Sequence, residues 1–477
     1  MEILYYLAVL VVLLKCIYTE DIVIDLSKAT VIRTLGPRFI GFTLDSSVIQ
    51  NRWETFKPNS SRVLTLSTAL APAYFRVGGT GADFLIFNNS LNIQPGNEDK
   101  NYTFTESDWD MLNDFVKSSG WELIFDLNIF LRSNGHWNAT NALQLFNYSI
   151  EKGYKPAGFE LGNELNVFPQ FNVTAAQSVY DFGNLKHILS SLPELGAPLI
   201  LGPDVNSLDG GSLTFMDLFL KLGGANIVDI ITYHHYYVPG TKATVEAFHN
   251  ISLLESLRPQ LKAAVALARK YCPEKPIWLG ETSSSYGRQV DSLSYMYVAS
   301  FMWLDKLGMA AQLGIDAVIR QSFYGPDDGV ITLQLDPSND FWVTYLHKQL
   351  VGTTVLNISR GLNENIRIYA HCTNIPSTTD YTKGSVTLIL MNLGPTDVNI
   401  IIQGVERSNS DIYMLSPGDD QGLQSKSLKL NGNLLKLTDS GELPPLPVQS
   451  TTGPITLPTN NIAFVVLPDA LKSECMI

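Results

Sequence analysis

The stretch AGFELGNE, residues 157–164, is a short apolar run that ends in two polar residues, Asn163 and Glu164. Similar runs recur up to residue 323, separated by longer segments with helical periodicity. This alternation is typical of a parallel sheet whose two faces are covered by helices. The other runs are AYFRVGG (73–79), ELIFDLN (122–128), PLILGPD (198–204), DIITYHHYY (229–237), PIWLGE (276–281) and AVIRQSF (317–323), with RFIGFTLD (38–45) as the remaining candidate.

Several of these runs end in polar residues, and in a (β/α)₈ barrel the carboxyl ends of the strands converge on one face. We therefore predict an α/β fold with a TIM barrel. An open doubly wound sheet is the alternative, but no G-x-G-x-x-G motif opens a helix here. The polar strand ends are Arg76, Asp126, Asn163, Glu164, Asp204, His234, His235, Glu281 and Gln321.

After about residue 350 the pattern changes to alternating segments rich in Thr, Val and Ile, which is typical of an antiparallel sheet or sandwich. Examples are NIRIYAHC (365–372), SVTLILMNL (385–393), DVNIIIQG (397–404) and NIAFVVLP (461–468). DIVIDL (21–26) is a further strand that could join this sheet. The predicted domains are a signal peptide (1–20), an N-terminal sandwich strand (21–37), the catalytic barrel (38–349) and a C-terminal β-sandwich domain (350–477).

The composition excludes several classes of protein. Hydrophobic residues make up 45% of the chain and charged residues 17%, which excludes disordered, collagen-like and coiled-coil proteins. The net charge of −13 repels polyanions, so we expect no nucleic-acid partner. A sulfated polysaccharide would need a local basic patch on such a surface.

Residues 3–14 form an apolar run that is too short to span a bilayer but fits the core of a signal peptide. We predict cleavage between residues 16 and 21 and a secreted, extracellular or lysosomal protein; a buried N-terminal helix is the alternative. No later run reaches membrane-spanning length. Glycosylation sequons begin at Asn59, Asn88, Asn101, Asn138, Asn147, Asn172, Asn250 and Asn357.

Removal of the leader leaves Cys272, Cys372 and Cys475, so at most one intramolecular disulfide forms.

Hydrolysis of a glycosidic bond with retention requires one carboxylic acid and one carboxylate about 5 to 5.5 Å apart. Glu164 and Glu281, at the ends of different predicted strands, meet this need. A single Glu after a strand is more often a cap or an ion-pair partner, but the pair is more specific. Asn163, beside Glu164, is a candidate hydrogen-bond partner for a sugar hydroxyl.

The segment TYHHYY, residues 232–237, places His234 and Tyr236 on one face of an extended strand and His235 and Tyr237 on the other. Tyr236 could donate to the nucleophile, while His234 contacts the sugar or a carboxylate. A zinc site is less favoured, because adjacent strand positions point apart and no H-E-x-x-H motif is present. Core packing is the alternative for His235 and Tyr237.

Other kinds of chemistry have weaker support. No G-x-S-x-G elbow accompanies the serines at 283–285, which we expect to be polar loop residues on the site face. P-loop and dinucleotide fingerprints are also absent from the sequence. We expect no metal and no cofactor.

Several segments together resemble the heparanases of glycoside hydrolase family 79. They are AYFRVGGTGADFLIF (73–87), FELGNELN (159–166), YHHYY (233–237), WLGETSSSYG (278–287), FMWLDKLGMAA (301–311) and YAHCTN (369–374). The resemblance implies a (β/α)₈ barrel with a β-sandwich and endo-β-glucuronidase activity on glycosaminoglycans such as heparan sulfate or hyaluronan.

The resemblance also implies roles for individual residues. Glu164 would be the acid/base and Glu281 the nucleophile, and Cys372 would pair with Cys475. The implied sugar-binding residues are Asp45, Thr80, Asn163, His234, Tyr236 and Gln321.

The chain departs from the family pattern in two ways. Vertebrate heparanases carry a long excised segment where this chain has only residues 88–105, so we predict a single chain that is active without proteolysis. The basic stretches of the family read NEDKNYTFTESD (97–108) and SLDGGSLTFMDLF (207–219) here, with Lys100 as their one cation.

These departures bear on the substrate. Lys242 and Arg288 could still pair with a uronate, whereas Asp327 and Gly329 replace residues that contact it in the family. A less sulfated polymer such as hyaluronan is therefore an alternative to heparan sulfate. The sequence is also compatible with an exo-β-glucuronidase and with a catalytically silent glycan-binding protein.

Overall fold

The computed structural model describes residues 19–53, 56–88, 102–167, 173–289, 292–361, 363–375, 381–405 and 409–476. Within these ranges the chain forms a closed barrel of parallel strands and an 11-stranded sheet. Residues 1–18 of the predicted signal peptide, most of the polar segment at 88–105 and the sequon asparagines Asn101 and Asn172 lie outside the described residues, whereas Glu20 already belongs to strand β1.

The barrel is the predicted TIM barrel, and every run proposed from the sequence contributes one strand to it. Around the barrel the strand order is β10-β11-β13-β15-β2-β3-β6-β9, and all neighbouring pairs are parallel. The strands up to the end of the barrel are β1 (Glu20–Thr34), β2 (Ile40–Asp45), β3 (Ala73–Gly78), β4 (Leu85–Phe87), β5 (Tyr102–Phe104), β6 (Trp121–Leu127), β7 (Arg132–Ser133), β8 (His136–Trp137), β9 (Gly158–Leu161), β10 (Leu199–Val205), β11 (Ile230–His235), β12 (Val238–Pro239), β13 (Ile277–Thr282), β14 (Ser285–Tyr286) and β15 (Ala317–Gln321).

Helices cover the outside of the barrel. Glu106–Ser119 shows why they form: Thr105 and Asp108 make a capping box at its start, and Gly120 ends it in the left-handed conformation. The α-helices are Ser47–Gln50, Ser61–Ala69, Glu106–Ser119, Thr140–Lys152, Ala175–Ser190, Gly210–Phe219, Ala225–Ile227, Val245–Phe248, Ile251–Glu255, Leu257–Tyr271, Tyr297–Leu313 and Asn339–Leu350.

The second sheet contains β1 and the strands that follow the barrel. Its order is β22-β21-β20-β25-β18-β17-β16-β1-β19-β24, with β23 paired to β20. The later strands are β16 (Val351–Arg360), β17 (Ile366–Thr373), β18 (Val386–Asn392), β19 (Val398–Gln403), β20 (Ser410–Pro417), β21 (Leu428–Leu430), β22 (Asn433–Leu434), β23 (Gln449–Thr451), β24 (Ile455–Leu457) and β25 (Ile462–Leu467).

This sheet differs from the expectation in one respect. Strand β1 pairs antiparallel with β16 but parallel with β19, so the sheet is mixed rather than wholly antiparallel. A second apolar core, separate from that of the barrel, lies against β1, β17, β18 and β25. A disulfide joins Cys372 to Cys475, as the family resemblance implied, and Cys272 is a buried free thiol.

The helix Tyr297–Leu313 packs against the second sheet. It is buried along nearly its whole length, which is typical of a helix enclosed on all sides. Gly308 allows close packing, because a Cβ at that position would overlap the ring of Tyr369 on β17. Asp305 accepts a 2.6 Å hydrogen bond from the Tyr369 hydroxyl. None of the described helices is long and apolar enough to cross a membrane.

Candidate active site

The turn that carries Glu164 follows β9 and is held by two buried carboxyl groups. The amide of Gly162 donates to Oδ1 of Asp126 at 2.9 Å, and the amide of Asn163 donates to Oδ1 of Asp83 at 3.2 Å. Burial raises the pKa of both Asp83 and Asp126 well above the ordinary value. Gly162 and Glu164 have φ angles of 84° and 51°, and this tight turn leaves the Glu164 carboxylate partly exposed.

Glu281 lies on β13, and each of its two oxygens accepts a hydrogen bond. The hydroxyl of Tyr236 donates to Oε1 at 2.5 Å, and Nη1 of Arg76 donates to Oε2 at 2.6 Å. Burial alone would raise the pKa of Glu281. The positive charges of His234 and Arg76 and the Tyr236 hydroxyl outweigh burial, so this pKa lies below its ordinary value. Glu281 is therefore an ionised carboxylate, as a nucleophile must be.

Arg76 joins the two halves of the site. Its guanidinium is 1% exposed and donates to Glu160 at 2.6 Å, to Glu281, and to Oδ1 of Asn163 at 2.9 Å. Burial, the largest effect, raises the pKa of Glu160 to about 8. Gly78 makes room for this fork, because a Cβ there would lie 2.7 Å from Cζ of Arg76.

His234 lies between the carboxylates. Its Nδ1 is 2.9 Å from Oε1 of Glu164, and its Nε2 is 3.5 Å from Oδ1 of Asp204. Burial disfavours the charged ring, but Glu281, Asp204 and Glu164 together raise the pKa of His234 to about 10. These charges favour the imidazolium form of the ring at neutral pH.

The neighbouring residues of this segment face away from the site, in agreement with the strand alternation in the sequence. The rings of His235 and Tyr237 are 4.7 Å apart, and Nζ of Lys306 lies 4.6 Å from the centre of the Tyr237 ring. Burial and the charge of Lys306 lower the pKa of His235 well below its ordinary value. His235 and Tyr237 therefore belong to the packing beneath the site.

The remaining predicted sugar-binding residues lie at two positions. Nε2 of Gln321 donates to Oδ2 of Asp45 at 3.4 Å, at the carboxyl end of the barrel, and the Ser47 amide donates to Oδ1 of Asp45 at 2.9 Å. Burial raises the pKa of Asp45, and the charge of Glu281 adds to this effect. Thr80 lies in an exposed turn after β3.

The serines at 283–285 follow the carboxyl end of β13, the predicted site face, but they do not line an open loop. All of them are buried. The hydroxyl of Ser283 accepts a 2.7 Å hydrogen bond from Nη1 of Arg320, and the hydroxyl of Ser284 bonds to that of Ser294. The hydroxyls of Ser283 and Ser284 are therefore bonded within the protein, and Ser285 begins the short strand β14.

The other residues considered for the uronate lie around the mouth of the barrel. Lys242 and Arg288 are exposed on the segments that follow β12 and β14. Asp327 accepts a 3.0 Å hydrogen bond from the Ser292 hydroxyl. Gly329 has no room for a side chain, because a Cβ there would overlap the Ile331 carbonyl oxygen.

Within the described part of the chain, one group of side chains could hold a cation, and it lies at the centre of the site. One ligand atom from each of Glu164, His234 and Glu281 lies within 4.8 Å of the others. The guanidinium of Arg76 already neutralises one side of Glu281, and the carboxylates around His234 favour its protonated ring. This donor set fits proton transfer and nucleophilic attack better than metal binding.

Several residues on which the site depends were not among the predicted site residues. Arg76, Asp126 and Asp204 were noted as polar strand ends, and that signal could have placed them in the site. Glu160 lies within the apolar run of β9, and Asp83 lies in a short turn after β3, so neither carried a comparable signal.

The chain is similar to several known proteins. Residues 56–308 match the family model described as glycosyl hydrolase family 79, N-terminal domain. The chain is 34% identical over 517 residues to heparanase of Mus musculus, covering 96% of this chain and 95% of that protein. It is 31% identical over 493 residues to hyaluronoglucuronidase of Hirudo nipponia, covering 96% and 99%. It is 30% identical over 535 residues to inactive heparanase-2 of Mus musculus, covering 95% and 89%.

A solved structure has the same fold. The 4-O-α-L-rhamnosyl-β-D-glucuronidase of Fusarium oxysporum superimposes with a TM-score of 0.65 at 16% identity, covering 92% of this chain and 98% of that one. At this identity the likeness concerns the architecture alone.

Proposed function

The chain belongs to glycosyl hydrolase family 79, and from this premise we propose that it is a secreted, retaining endo-β-glucuronidase that hydrolyses glycosaminoglycan chains. One observation carries the proposal: an ionised Glu281 faces a partly exposed Glu164, with a carboxylate oxygen of each within 4.8 Å of the other. Inverting enzymes hold their carboxyl groups roughly 6.5 to 9.5 Å apart, and retaining enzymes about 5 to 5.5 Å. The spacing here supports retention.

The proposed reaction has two steps. In the first, the Glu164 carboxylic acid gives its proton to the glycosidic oxygen while Glu281 attacks the anomeric carbon and forms a glycosyl-enzyme ester. The bond between that carbon and the glycosidic oxygen breaks, and the leaving sugar departs with the new hydroxyl group. In the second, the Glu164 carboxylate takes a proton from water, which attacks the same carbon and releases Glu281. Tyr236 and Arg76 hold the attacking carboxylate in place, and Asn163 lies where it can bind a sugar hydroxyl.

The sequence leaves two candidate polymers, heparan sulfate and hyaluronan. The similarity to heparanase over 96% of the chain supports heparan sulfate. Hyaluronan is favoured by the net charge of −13 and by the similarity to a hyaluronoglucuronidase over 96% of the chain. Lys242 and Arg288 are the cations proposed to pair with the uronate carboxylate that both polymers carry.

Secretion is part of the proposal and rests on the apolar run at residues 3–14. The disulfide between Cys372 and Cys475 supports it, because such bonds persist mainly in oxidising compartments. An extracellular or lysosomal location would bring the enzyme to its polymer.

Product analysis tests the proposal. Purified protein is incubated with hyaluronan, with heparan sulfate and with a chromogenic β-glucuronide, and the products are sized and their anomeric configuration followed by NMR. Oligosaccharides that first appear as the β-anomer are expected. Free glucuronic acid alone would indicate exo-action, and first appearance of the α-anomer would exclude retention. Binding without any cleavage would indicate a catalytically silent homologue; one relative carries the name inactive heparanase-2.

A further inference from the structure

Asp204 lies behind the predicted acid/base and has no role in the reaction described so far. It lies on β10, and its side chain is fully buried. Neither carboxylate oxygen has a hydrogen bond of normal length among the described residues. A buried carboxylate left in this way is costly and calls for an explanation. The nearest ion-pair partner is Nε2 of His234, 3.5 Å from Oδ1.

The surroundings preserve this arrangement. Gly280 leaves room for the carboxylate, because a Cβ at that position would lie 3.0 Å from Oδ1 of Asp204. The Asp204 amide donates to the hydroxyl of Thr232 on β11, the same strand that carries His234. The carboxylate and the imidazole ring are therefore held side by side on neighbouring strands.

Asp204 also contacts the acid/base directly. Its carbonyl oxygen accepts a 3.0 Å hydrogen bond from the amide of Glu164. Its carboxylate faces Nε2 of His234, and the opposite ring nitrogen lies 2.9 Å from Oε1 of Glu164. Asp204 thus holds the backbone of Glu164 directly and its side chain through the ring of His234.

We propose that Asp204 is a positioning residue that keeps His234 protonated on both ring nitrogens, with Nδ1–H directed at Oε1 of Glu164, so that Oε2 of Glu164 exchanges the proton with the substrate. The exchange of a proton between Glu164 and the substrate rests on the proposed function, but the protonation of the His234 ring does not depend on that function. It assigns to Asp204 a role that neither the sequence motifs nor the family match provides.

The proton balance of the reaction is consistent with this assignment. When the O–H bond of Glu164 breaks, the proton goes to the glycosidic oxygen and the carboxylate that remains is stabilised by the Nδ1–H donor. With a neutral ring protonated on Nε2 alone, the bare Nδ1 lone pair would face that carboxylate and oppose its formation. A second proton on the ring avoids this repulsion in both steps.

Other charged groups around the ring act in the same direction. The carboxyl groups of Glu164, Glu281 and Asp204 lie closest, and the charge of His234 in turn lowers the pKa of Glu160. Arg76 is the one competing cation among these groups, and it is occupied by Glu160, Glu281 and Asn163. Of the groups that favour the charged ring, Asp204 is the buried one that takes no part in bond making or bond breaking.

The test is a titration of the His234 ring in the full-length protein. The chain has 7 histidines, so ¹⁵N-histidine NMR resolves them, and His234→Gln assigns the signal. In the wild type the ring is expected to carry both protons at pH 7. In Asp204→Asn the titration midpoint is expected to fall by at least one pH unit, with a fall in turnover of roughly tenfold or more on substrates with poor leaving groups.

The matched control is Asp229→Asn. Asp229 also links β10 to β11, through a 2.9 Å hydrogen bond from the Ile200 amide, but at the opposite ends of these strands. Its substitution is expected to leave the His234 midpoint unchanged.

A His234 midpoint that is the same in Asp204→Asn and in the wild type would overturn the proposal. If Asp204→Asn does not fold, a neutral ring in the wild type at pH 7 would overturn it equally. A doubly protonated ring in a protein that cleaves no glucuronide would instead count against the proposed function and leave the protonation of the ring established.

Discussion

Nη1 of Arg76 lies 2.6 Å from Oε2 of Glu281, although the two residues belong to strands β3 and β13, which are not neighbours in the barrel. The same guanidinium donates to Glu160 and Asn163 on the opposite side. The fork therefore fixes the distance between the proposed nucleophile and the turn that carries Glu164. Its removal should affect both the stability of the fold and the geometry of the reaction.

Arg76→Met tests this connection. Removing one partner of a buried ion pair leaves uncompensated charge, so the free energy of unfolding is expected to fall by roughly 3–5 kcal/mol. Turnover is expected to fall on the order of 100-fold or more, because Glu281 loses a charged donor. Urea unfolding and initial-rate kinetics measure the two effects.

The control variant for Arg76→Met is Arg258→Met, which removes the partly exposed ion pair between Arg258 and Glu255. That substitution is expected to cost at most about 1 kcal/mol. Equal losses of stability in the two variants would contradict a special role for the buried fork.

Tyr236→Phe should change the pH dependence of the reaction. The Tyr236 hydroxyl helps to hold the pKa of Glu281 below its ordinary value, so Glu281 stays ionised into the acidic range. Without this donor the pKa of Glu281 rises, and the acidic limb of kcat/KM against pH is expected to move to higher pH. A pH–rate profile of each protein measures the shift.

Tyr237→Phe is the matched control, since Tyr237 faces Lys306 and not the carboxylates. Its acidic limb should coincide with that of the wild type. A limb that moves to lower pH in Tyr236→Phe, or that does not move, would show that the hydroxyl does not stabilise the ionised nucleophile.

The fold could be predicted from the sequence because the barrel strands carry two signals, an apolar run and a polar residue near its carboxyl end. AGFELGNE at 157–164, for example, has an apolar run for the strand and a polar end at the catalytic face. The two-residue period of TYHHYY likewise separated His234 from His235. These signals are local, so a single sequence contains them.

The contacts across the barrel could not be predicted in the same way. Whether Arg76 reaches Glu281 depends on how strands distant in sequence close into a barrel, and on the space left by Gly78. The burial of Ser283 was missed for a similar reason, because its partner Arg320 lies 37 residues away on β15. The parallel pairing of β1 with β19 is a long-range choice that alternation does not encode.

Glu164→Gln and Glu281→Gln are expected to abolish cleavage of a polymer while leaving the fold intact, because each keeps the shape of the side chain. The first removes the acid/base, and the second removes the nucleophile. Circular dichroism and product sizing are the measurements. Glu122→Gln, which alters a partly exposed glutamate paired with Arg38, is the control and should retain full activity. Turnover close to that of the wild type in either active-site variant would exclude the assigned role.

The single chain is expected to be active without proteolysis. Strands β4 and β5 pair in parallel, and residues 88–101 are the whole connection between them. Mass spectrometry of the active protein should find an intact chain, and cleavage within residues 89–101 should not raise turnover. A precursor that gains activity only after a cut in this segment would contradict the prediction.

Gly162→Ala tests how far the turn before Glu164 controls the reaction. Gly162 has a φ of 84°, and a Cβ there would lie 2.6 Å from Cγ2 of Ile129 and 2.7 Å from Cδ2 of Leu165. We expect a loss of roughly 1–3 kcal/mol in the free energy of unfolding and a larger proportional loss of turnover, because the displaced turn carries Glu164 with it.

Gly153→Ala is the control that separates backbone strain from steric overlap. The φ of Gly153 is 74°, but no atom lies within 4 Å of the added Cβ. Gly153→Ala should therefore lose some stability and keep its turnover, and the same ratio of the two losses in both variants would show that the turn does not position the acid/base.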